Sequence, residues 1–224
     1  MKHLLAAATI ALLASGAALA HEDDYDKKQK RDVVIDHDLS GFTAIDISGV
    51  YELKVTQGDR FSVQTRSTKK EADRMEIRVR NNTLYLETDN EKGSRGWGGN
   101  NNNGVEVIIT MPQLEELDVA GIVSGEVSAF SGGDIDVDVS GISSVSLRGT
   151  CDTLTVDLAG MGELDARELK CRHVEADMGG MGEMSVYASE SIEADAEGMG
   201  SIEVYGDPKT RDTDDTFLAK VRFR

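Results

Sequence analysis

The sequence has few of the motifs by which enzyme active sites are recognised. It contains no G-x-S-x-G and no H-E-x-x-H motif, so the sequence gives no indication of a serine hydrolase or a zinc protease of the types that carry these motifs. It also contains no EF-hand loop and no G-x-G-x-x-G phosphate-binding pattern that opens a helix. The function must therefore be sought in the architecture of the chain.

Long apolar runs are also lacking, apart from one of ten residues at 4–13. This run is too short to span a bilayer, but with Lys2 before it and "AALA" after it the pattern is typical of a secretory signal at residues 1–20. The alternative is an ordinary helix of the fold. No cysteine near Ala20 could carry a lipid. The prediction is export to the periplasm of a Gram-negative bacterium, to the cell surface or to the medium, without a transmembrane segment in the mature chain.

Basic residues are scarce: 24 Lys and Arg stand against 41 Asp and Glu, a formal net charge of −17. Cleavage after Ala20 would remove only Lys2 among charged residues and make this charge −18. Nucleic acids and anionic lipids require a basic face, so both are excluded as expected partners. A flexible, charged segment is predicted at residues 21–32.

A ten-residue unit occurs five times in the second half of the chain, with its aspartates 20, 19, 20 and 18 residues apart. A period near 20 indicates a solenoid, in which each repeat buries its apolar face against its neighbours. The units begin at Asp118, Asp138, Asp157, Asp177 and Asp195.

Apolar residues alternate with polar ones inside each unit, as at Ile135, Val137 and Val139. This period of two predicts strands with one face inside and one in water. A glycine follows each aspartate by three residues, where the coil must turn, and the predicted reason for it is a positive φ. The fold class is therefore all-β: a parallel β-helix, or β-solenoid, with coils of about 20 residues over 113–207.

The first half contains a sixth copy of the unit, from Asp46, and then departs from the repeat. Strand-like runs near 60–66, 74–80, 83–88 and 105–112 predict an irregular, β-hairpin-containing half. The glycine- and asparagine-rich stretch 93–104 between two of these runs is predicted to be a surface loop. It carries Trp97, the only tryptophan, as a candidate ligand contact.

The segments "GFTAIDISGVYELKVTQGDRFSVQTRS", "LYLET", "VIITMPQLEELDVAG" and "SIEVYGDP", in this order, resemble the head GIN domain family (DUF2807), labelled an auto-transporter adhesin. The resemblance covers residues 33–208. It implies a β-helix-like domain of exported bacterial proteins, without catalytic residues to transfer. Residues 209–224 are predicted to form a C-terminal tail.

Cys151 and Cys171 each precede their unit's aspartate by six residues and therefore occupy the same position on adjacent rungs. Neighbouring strands lie about 4.8 Å apart, which is within the range of a disulfide. The spacing predicts a rung-to-rung disulfide. A free buried pair and a redox-active pair remain as alternatives.

Stacking should also align the aspartates of the units into an acidic column, because residues 113–207 hold 21 acidic and four basic residues. Like charges across strands are unfavourable, so a hard cation such as calcium is one candidate ligand and simple solvation by salt and water is the alternative. The candidate calcium ligands are Asp118, Asp138, Asp157, Asp177 and Asp195. No other cofactor is expected.

Met178, Met181 and Met184 form an M-x-x-M-x-x-M run, a spacing suited to copper(I). The repeat aligns them with Val139, Ile142 and Val145, so the favoured interpretation is that all three fill apolar core positions.

These features predict an exported, non-catalytic binding or structural module of the cell envelope, adhesin-like, with an envelope, glycan or protein partner. A divalent-cation-binding envelope protein and a polysaccharide-active β-helix enzyme are the alternatives.

Overall fold

The computed structural model describes residues 31–88 and 104–224, and these are almost entirely β-structure. The predicted signal segment, residues 21–30 and Trp97 lie outside the described residues. Within the described ranges no helix is both long and apolar enough to cross a membrane.

The first half of the described chain consists of short elements. They are β1 (Val33–His37), β2 (Ala44–Gln57), β3 (Ser62–Ser67), α1 (Lys69–Ala72), β4 (Met75–Arg80), β5 (Thr83–Thr88) and β6 (Val105–Met111). The strand pairs β1–β3, β3–β6 and β4–β5 are antiparallel, which confirms the predicted hairpin-like character of this half. The second half consists of longer strands and a short closing pair: β7 (Glu116–Ser131), β8 (Asp134–Leu158), β9 (Met161–Met178), β10 (Met181–Ala196), β11 (Met199–Tyr205), β12 (Thr210–Asp215) and β13 (Ala219–Phe223).

The strands from β7 to β11 stack in parallel, one coil on the next, and confirm the predicted solenoid. Asp118 pairs with Asp138, Asp157 with Asp177, and Asp177 with Asp195. The sixth copy of the unit belongs to the same stack, because Asp46 of β2 pairs with Asp118. On its other side β2 pairs first with β5 and then with β6, so these two strands together form the preceding rung.

The core consists of the inward positions of successive rungs, which form apolar columns. The residues predicted to face inward from the alternation within the units are buried: Leu53, Val55, Ile135, Val137, Val139, Val145, Leu147, Leu154, Val156, Leu158, Ile192, Ala194 and Ala196. In a parallel stack with one buried face, a one-residue slip would expose a whole column, so the alternation fixes the register.

The stack continues into the predicted C-terminal tail, residues 209–224. Strand β12 pairs with the second half of β10, and β13 pairs with β11, so residues 210–223 form the last rung. The rung lacks the repeat signature because Phe217 stands where other rungs have glycine, and the strand is interrupted there. Its highly charged strand β12 is fully exposed, a common protection of a sheet edge against pairing with another chain.

The structure joins Cys151 and Cys171 by the predicted disulfide. The two residues are register partners on β8 and β9, with their Cα atoms 4.5 Å apart, and both are buried. The bond therefore cross-links two rungs in the middle of the stack.

Candidate functional site: an exposed apolar ladder

One outward-facing position of the solenoid is apolar in six successive rungs. Each of these side chains is 41–61% exposed. We call them the apolar ladder: Ile122, Ile142, Met161, Met181, Met199 and Leu218. The first five are register partners of one another, and the amide of Gly200 donates a hydrogen bond to the carbonyl of Leu218, which continues the ladder to the last rung.

The ladder corrects the sequence-based interpretation of the methionine run. Met178 and Met184 are buried as predicted, but Met181 is 41% exposed. Residues three apart on one strand cannot both face inward, because side chains alternate with a period of two. The sulphur atoms of the run therefore lie on opposite sides of the strand and cannot close on one copper ion.

A column of glycines runs along the upstream side of the ladder: Gly121, Gly141, Gly160, Gly180 and Gly198. A positive φ, the predicted reason for glycine here, holds only for Gly121 and Gly141. Close approach explains all five, since a Cβ atom would lie only 1.8–2.3 Å from the carbonyl oxygen of the glycine one rung below. The column is thus required by backbone packing.

A second glycine column, Gly162, Gly182 and Gly200, follows the methionines of the ladder. A Cβ atom on any of them would lie 1.8 Å from the carbonyl oxygen of the preceding rung. The backbone of successive rungs therefore approaches closely on both sides of Met161, Met181 and Met199.

The ladder from Ile142 to Leu218 and the glycines upstream of it line a shallow, open groove of about 520 Å³. Ile142, Met161, Met181, Met199 and Leu218 form its apolar wall, and Glu197 is the only ionisable residue among the described residues that line it. Contiguous exposed apolar surface on a stable protein usually marks an interaction site, whereas scattered single residues need no explanation. The groove can therefore hold apolar side chains of a partner.

The predicted acidic column runs parallel to the ladder, four residues upstream on each rung. The register places Asp46, Asp118, Asp138, Asp157, Asp177 and Asp195 in line, and it adds Asp214 from the last rung. Sequence reasoning missed Asp214 because its rung lacks the glycine that marks the other units.

Partial burial and repulsion by neighbouring carboxylates affect two members of this column. Burial, together with the charges of Glu116 and Asp138, raises the pKa of Asp118 to about 6. Burial and then the charges of Asp138 and Asp177 raise the pKa of Asp157. Asp118 and Asp157 therefore bind protons more readily than isolated aspartates do.

No group of three or more His, Cys, Asp or Glu side chains is arranged to hold a metal ion in the part of the chain that the structure describes. The carboxylates of the Asp column follow one line on an exposed face and do not converge on a point. Calcium binding by Asp118, Asp138, Asp157, Asp177 and Asp195 stays a prediction.

The Asp column also bears on the alternative of a polysaccharide-active enzyme. A glycosidase needs one carboxylic acid with a raised pKa and a second carboxylate, spaced to flank a sugar bond. Asp118 meets the first condition, because its pKa is raised to about 6. The charge of Asp138, its register partner on the next rung, helps to raise that pKa, so stacking of the repeat accounts for the shift without a catalytic role.

The sequence model of one protein family, described as "Putative auto-transporter adhesin, head GIN domain" (DUF2807), matches residues 41–208. The chain belongs to this family. The head GIN domain as matched includes the ladder from Ile122 to Met199, whereas Leu218 and Asp214 lie beyond it. No curated protein matches the chain.

Solved structures share the fold of this head GIN domain. A "putative adhesin" from Bacteroides fragilis has a TM-score of 0.66 and 23% identity, and the match covers 86% of this chain and 96% of the other. A "putative adhesin" from Parabacteroides distasonis has a TM-score of 0.50 and 14% identity, with the same coverage. At these sequence identities the structural similarity shows a shared fold and does not show a shared function.

Proposed function

We propose that the protein is an exported, adhesin-like binding module of the bacterial cell envelope, without catalytic activity, and that the apolar ladder is its binding face. The observation that carries this proposal is the continuity of the ladder over six rungs. Membership of an adhesin-labelled family and the signal-like residues 1–20 support it.

The shape of the ladder suits binding better than catalysis. Its wall consists of Ile, Met and Leu side chains, which supply contact area, and Glu197 is the one side chain among the described lining residues that could transfer a proton. Paired strands hold the backbone of each rung in place, so the face loses little backbone entropy on binding.

Export is tested first, by expressing the full chain in a Gram-negative host and fractionating the cells. We expect a mature form shortened by residues 1–20 in the periplasm, the outer membrane or the medium. A full-length chain that stays in the cytoplasm would contradict the export part of the proposal.

Binding is tested with beads that carry the mature protein and with isolated envelopes of the bacterium that encodes it. The variant Ile142→Ser/Met161→Ser/Met181→Ser removes the middle of the ladder at exposed positions. The control Val34→Ser/Ile35→Ser removes two other exposed apolar side chains, on β1. We expect envelope retention by the ladder variant to fall to that of bare beads and retention by the control to remain. Equal retention by both variants would refute the ladder as the binding face.

A further inference from the structure

The charges beside the apolar ladder point to the chemistry of its partner. In each regular rung the stretch from the column aspartate to two residues beyond the ladder contains only acidic charge. Over 118–124, 138–144, 157–163, 177–183 and 195–201 there are eight acidic residues and no Lys or Arg. In the last rung Lys220 follows Leu218, but its ammonium group is paired with Asp215 at 3.1 Å.

Acidic groups border the ladder on both sides. Glu163 and Glu183 are exposed and lie two residues downstream of Met161 and Met181, a separation of about 7 Å along the strand. The Asp column lies four residues upstream, at most about 13 Å away along an extended chain. A partner that covers the ladder therefore meets negative charge at both edges of its contact.

A second copy of this chain is a poor occupant, because two copies would bring their acidic columns together. From Ile122 to Leu218 the ladder is about 24 Å long, at about 4.8 Å per rung, so it offers space for a single narrow element of a partner. Anionic membranes are disfavoured for the same electrostatic reason.

The spacing of the ladder fits a helix better than an extended chain. Apolar side chains on one face of a helix recur about every 5.4 Å of its axis, close to the rung spacing of about 4.8 Å. On an extended strand, side chains of one face recur about every 6.7 Å. A helix about 10 Å in diameter that lies on the ladder would also direct its lateral side chains toward the acidic groups on both sides.

We infer that the apolar ladder binds a basic amphipathic helix of a protein partner, with apolar side chains in the groove and Lys or Arg side chains toward Glu163, Glu183 and the Asp column. This inference rests on the proposed function, because it names the partner class of the same face. Such helix-in-groove binding derives its affinity from apolar anchors and its selectivity from the flanking charges.

The test uses the mature protein and three labelled 19-residue peptides in 150 mM salt. The first peptide has a leucine face flanked by lysines, the second a leucine face flanked by glutamates, and the third has glutamine in place of leucine with the lysines kept. Fluorescence anisotropy gives each Kd. We expect the Leu/Lys peptide to bind at least tenfold more tightly than either of the others.

The variants locate the binding. Ile142→Ser/Met161→Ser/Met181→Ser should weaken binding of the Leu/Lys peptide at least tenfold, and Val34→Ser should leave it unchanged. Glu163→Gln/Glu183→Gln should weaken it at least threefold and reduce its salt dependence, whereas Asp134→Asn, an exposed acid away from the ladder, should not.

Two results separate this inference from the proposed function. If the Leu/Glu peptide binds as tightly as the Leu/Lys peptide and the ladder variant abolishes both, the ladder binds apolar partners and the basic-helix inference is wrong. If the ladder variant changes neither peptide binding nor envelope retention, both are wrong. A ladder-dependent dimer in sedimentation velocity, or ladder-dependent binding to phosphatidylglycerol vesicles, would also overturn the inference, because the ladder would then bind a second copy of the chain or an anionic membrane.

Discussion

The two halves of the molecule differ in how many of their acidic residues have a basic partner. Residues 31–88 and 104–112 carry nine basic and eleven acidic residues, whereas residues 113–207 carry four and 21. In the first half acids find bases on neighbouring strands: the carboxylate of Glu106 lies 2.8 Å from Lys54 and within 4.0 Å of Arg31 and Arg66. In the regular stack the aspartates face one another.

Repetition explains the difference. Where the strands differ in sequence, an acid on one can lie beside a base on the next. Where coils repeat, each residue is stacked on its own copy, so every choice at one position becomes a column. A glycine in the unit gives a column of glycines, an aspartate gives a row of carboxylates that repel one another, and an exposed apolar residue gives the apolar ladder. The properties of the stack are therefore those of a single unit, amplified about sixfold.

Substitution of a column glycine should have the largest effect on stability. Two adjacent glycines of one rung allow a matched comparison, because only one of them lies against the backbone of the neighbouring rung. A Cβ atom on Gly180 would lie 2.1 Å from the carbonyl oxygen of Gly160, whereas one on Gly179 would have no atom within 4 Å. We expect Gly180→Ala to lower the free energy of unfolding by about 3 kcal/mol or more, since backbone must move.

The matched control Gly179→Ala should change the free energy of unfolding by no more than about 0.5 kcal/mol. Urea unfolding followed by circular dichroism measures both. If the two variants have the same stability, backbone close approach is not the reason for the glycine column.

The disulfide is the second test, because both cysteines of the chain lie in the regular stack. It closes a loop of 20 residues, and loss of such a cross-link costs about 3 kcal/mol through the entropy of the unfolded chain. The variant Cys151→Ser/Cys171→Ser should lose about this much in guanidinium unfolding without reductant. With reductant, wild type and variant should approach each other. A loss below about 1 kcal/mol without reductant would show that the stack does not depend on the cross-link.

Much of the stack could be predicted from sequence, because parallel stacking turns spacing along the chain into proximity in space. The 20-residue separation of Cys151 and Cys171 was enough to place them together, and the same logic aligned the aspartates. The first half was less predictable: β5 and β6 are separated by residues 89–104 and still form one rung against β2. No repeat in the sequence indicates that pairing.

The orientation of the ladder was available in the sequence and was missed. Asp118, Ala120, Ile122 and Ser124 have the same parity along β7, so counting by two from the exposed aspartate places the ladder residue outside. The alternation continues through the glycine between Ala120 and Ile122, because Val119 and Val123 on either side of it are buried whereas Ile122 is exposed. The apolar character of the ladder residues suggests a core position, but burial of apolar residues is a tendency that individual residues need not follow.

Two carboxylates, one from each half, should respond to pH with opposite signs, which gives a third and smaller test. A hydrogen bond from Arg78 lowers the pKa of Glu87 in the first half, whereas burial raises that of Asp118 to about 6, above its ordinary value of about 3.9. A raised folded-state pKa contributes stability that is present below the unfolded value and is lost as the pH rises through about 6.

Asp118→Asn should therefore be more stable than wild type at pH 7, by about 1 kcal/mol after allowance for solvent screening, and equally stable at pH 4. Glu87→Gln should be less stable than wild type at pH 7, with a difference that shrinks as the pH falls. Chemical unfolding at both pH values measures the differences. A destabilising Asp118→Asn at pH 7 would contradict the account of the Asp column as a site of repulsion.

Calcium has the smallest expected effect, because the carboxylates of the Asp column do not converge. Pairs of neighbouring aspartates supply few of the six to eight oxygens that calcium takes, so a Kd of about 1 mM, at the weak end of extracellular modules, is the expected range. At 1 mM free calcium this stabilises the native state by about 0.4 kcal/mol.

Thermal unfolding should then show a small saturable rise in Tm that exceeds the effect of sodium chloride at equal ionic strength and disappears in Asp157→Asn/Asp177→Asn. A rise that sodium reproduces would mean that the column is screened by salt and water alone, whereas saturation at micromolar calcium would mean that the aspartates converge on the ion in solution.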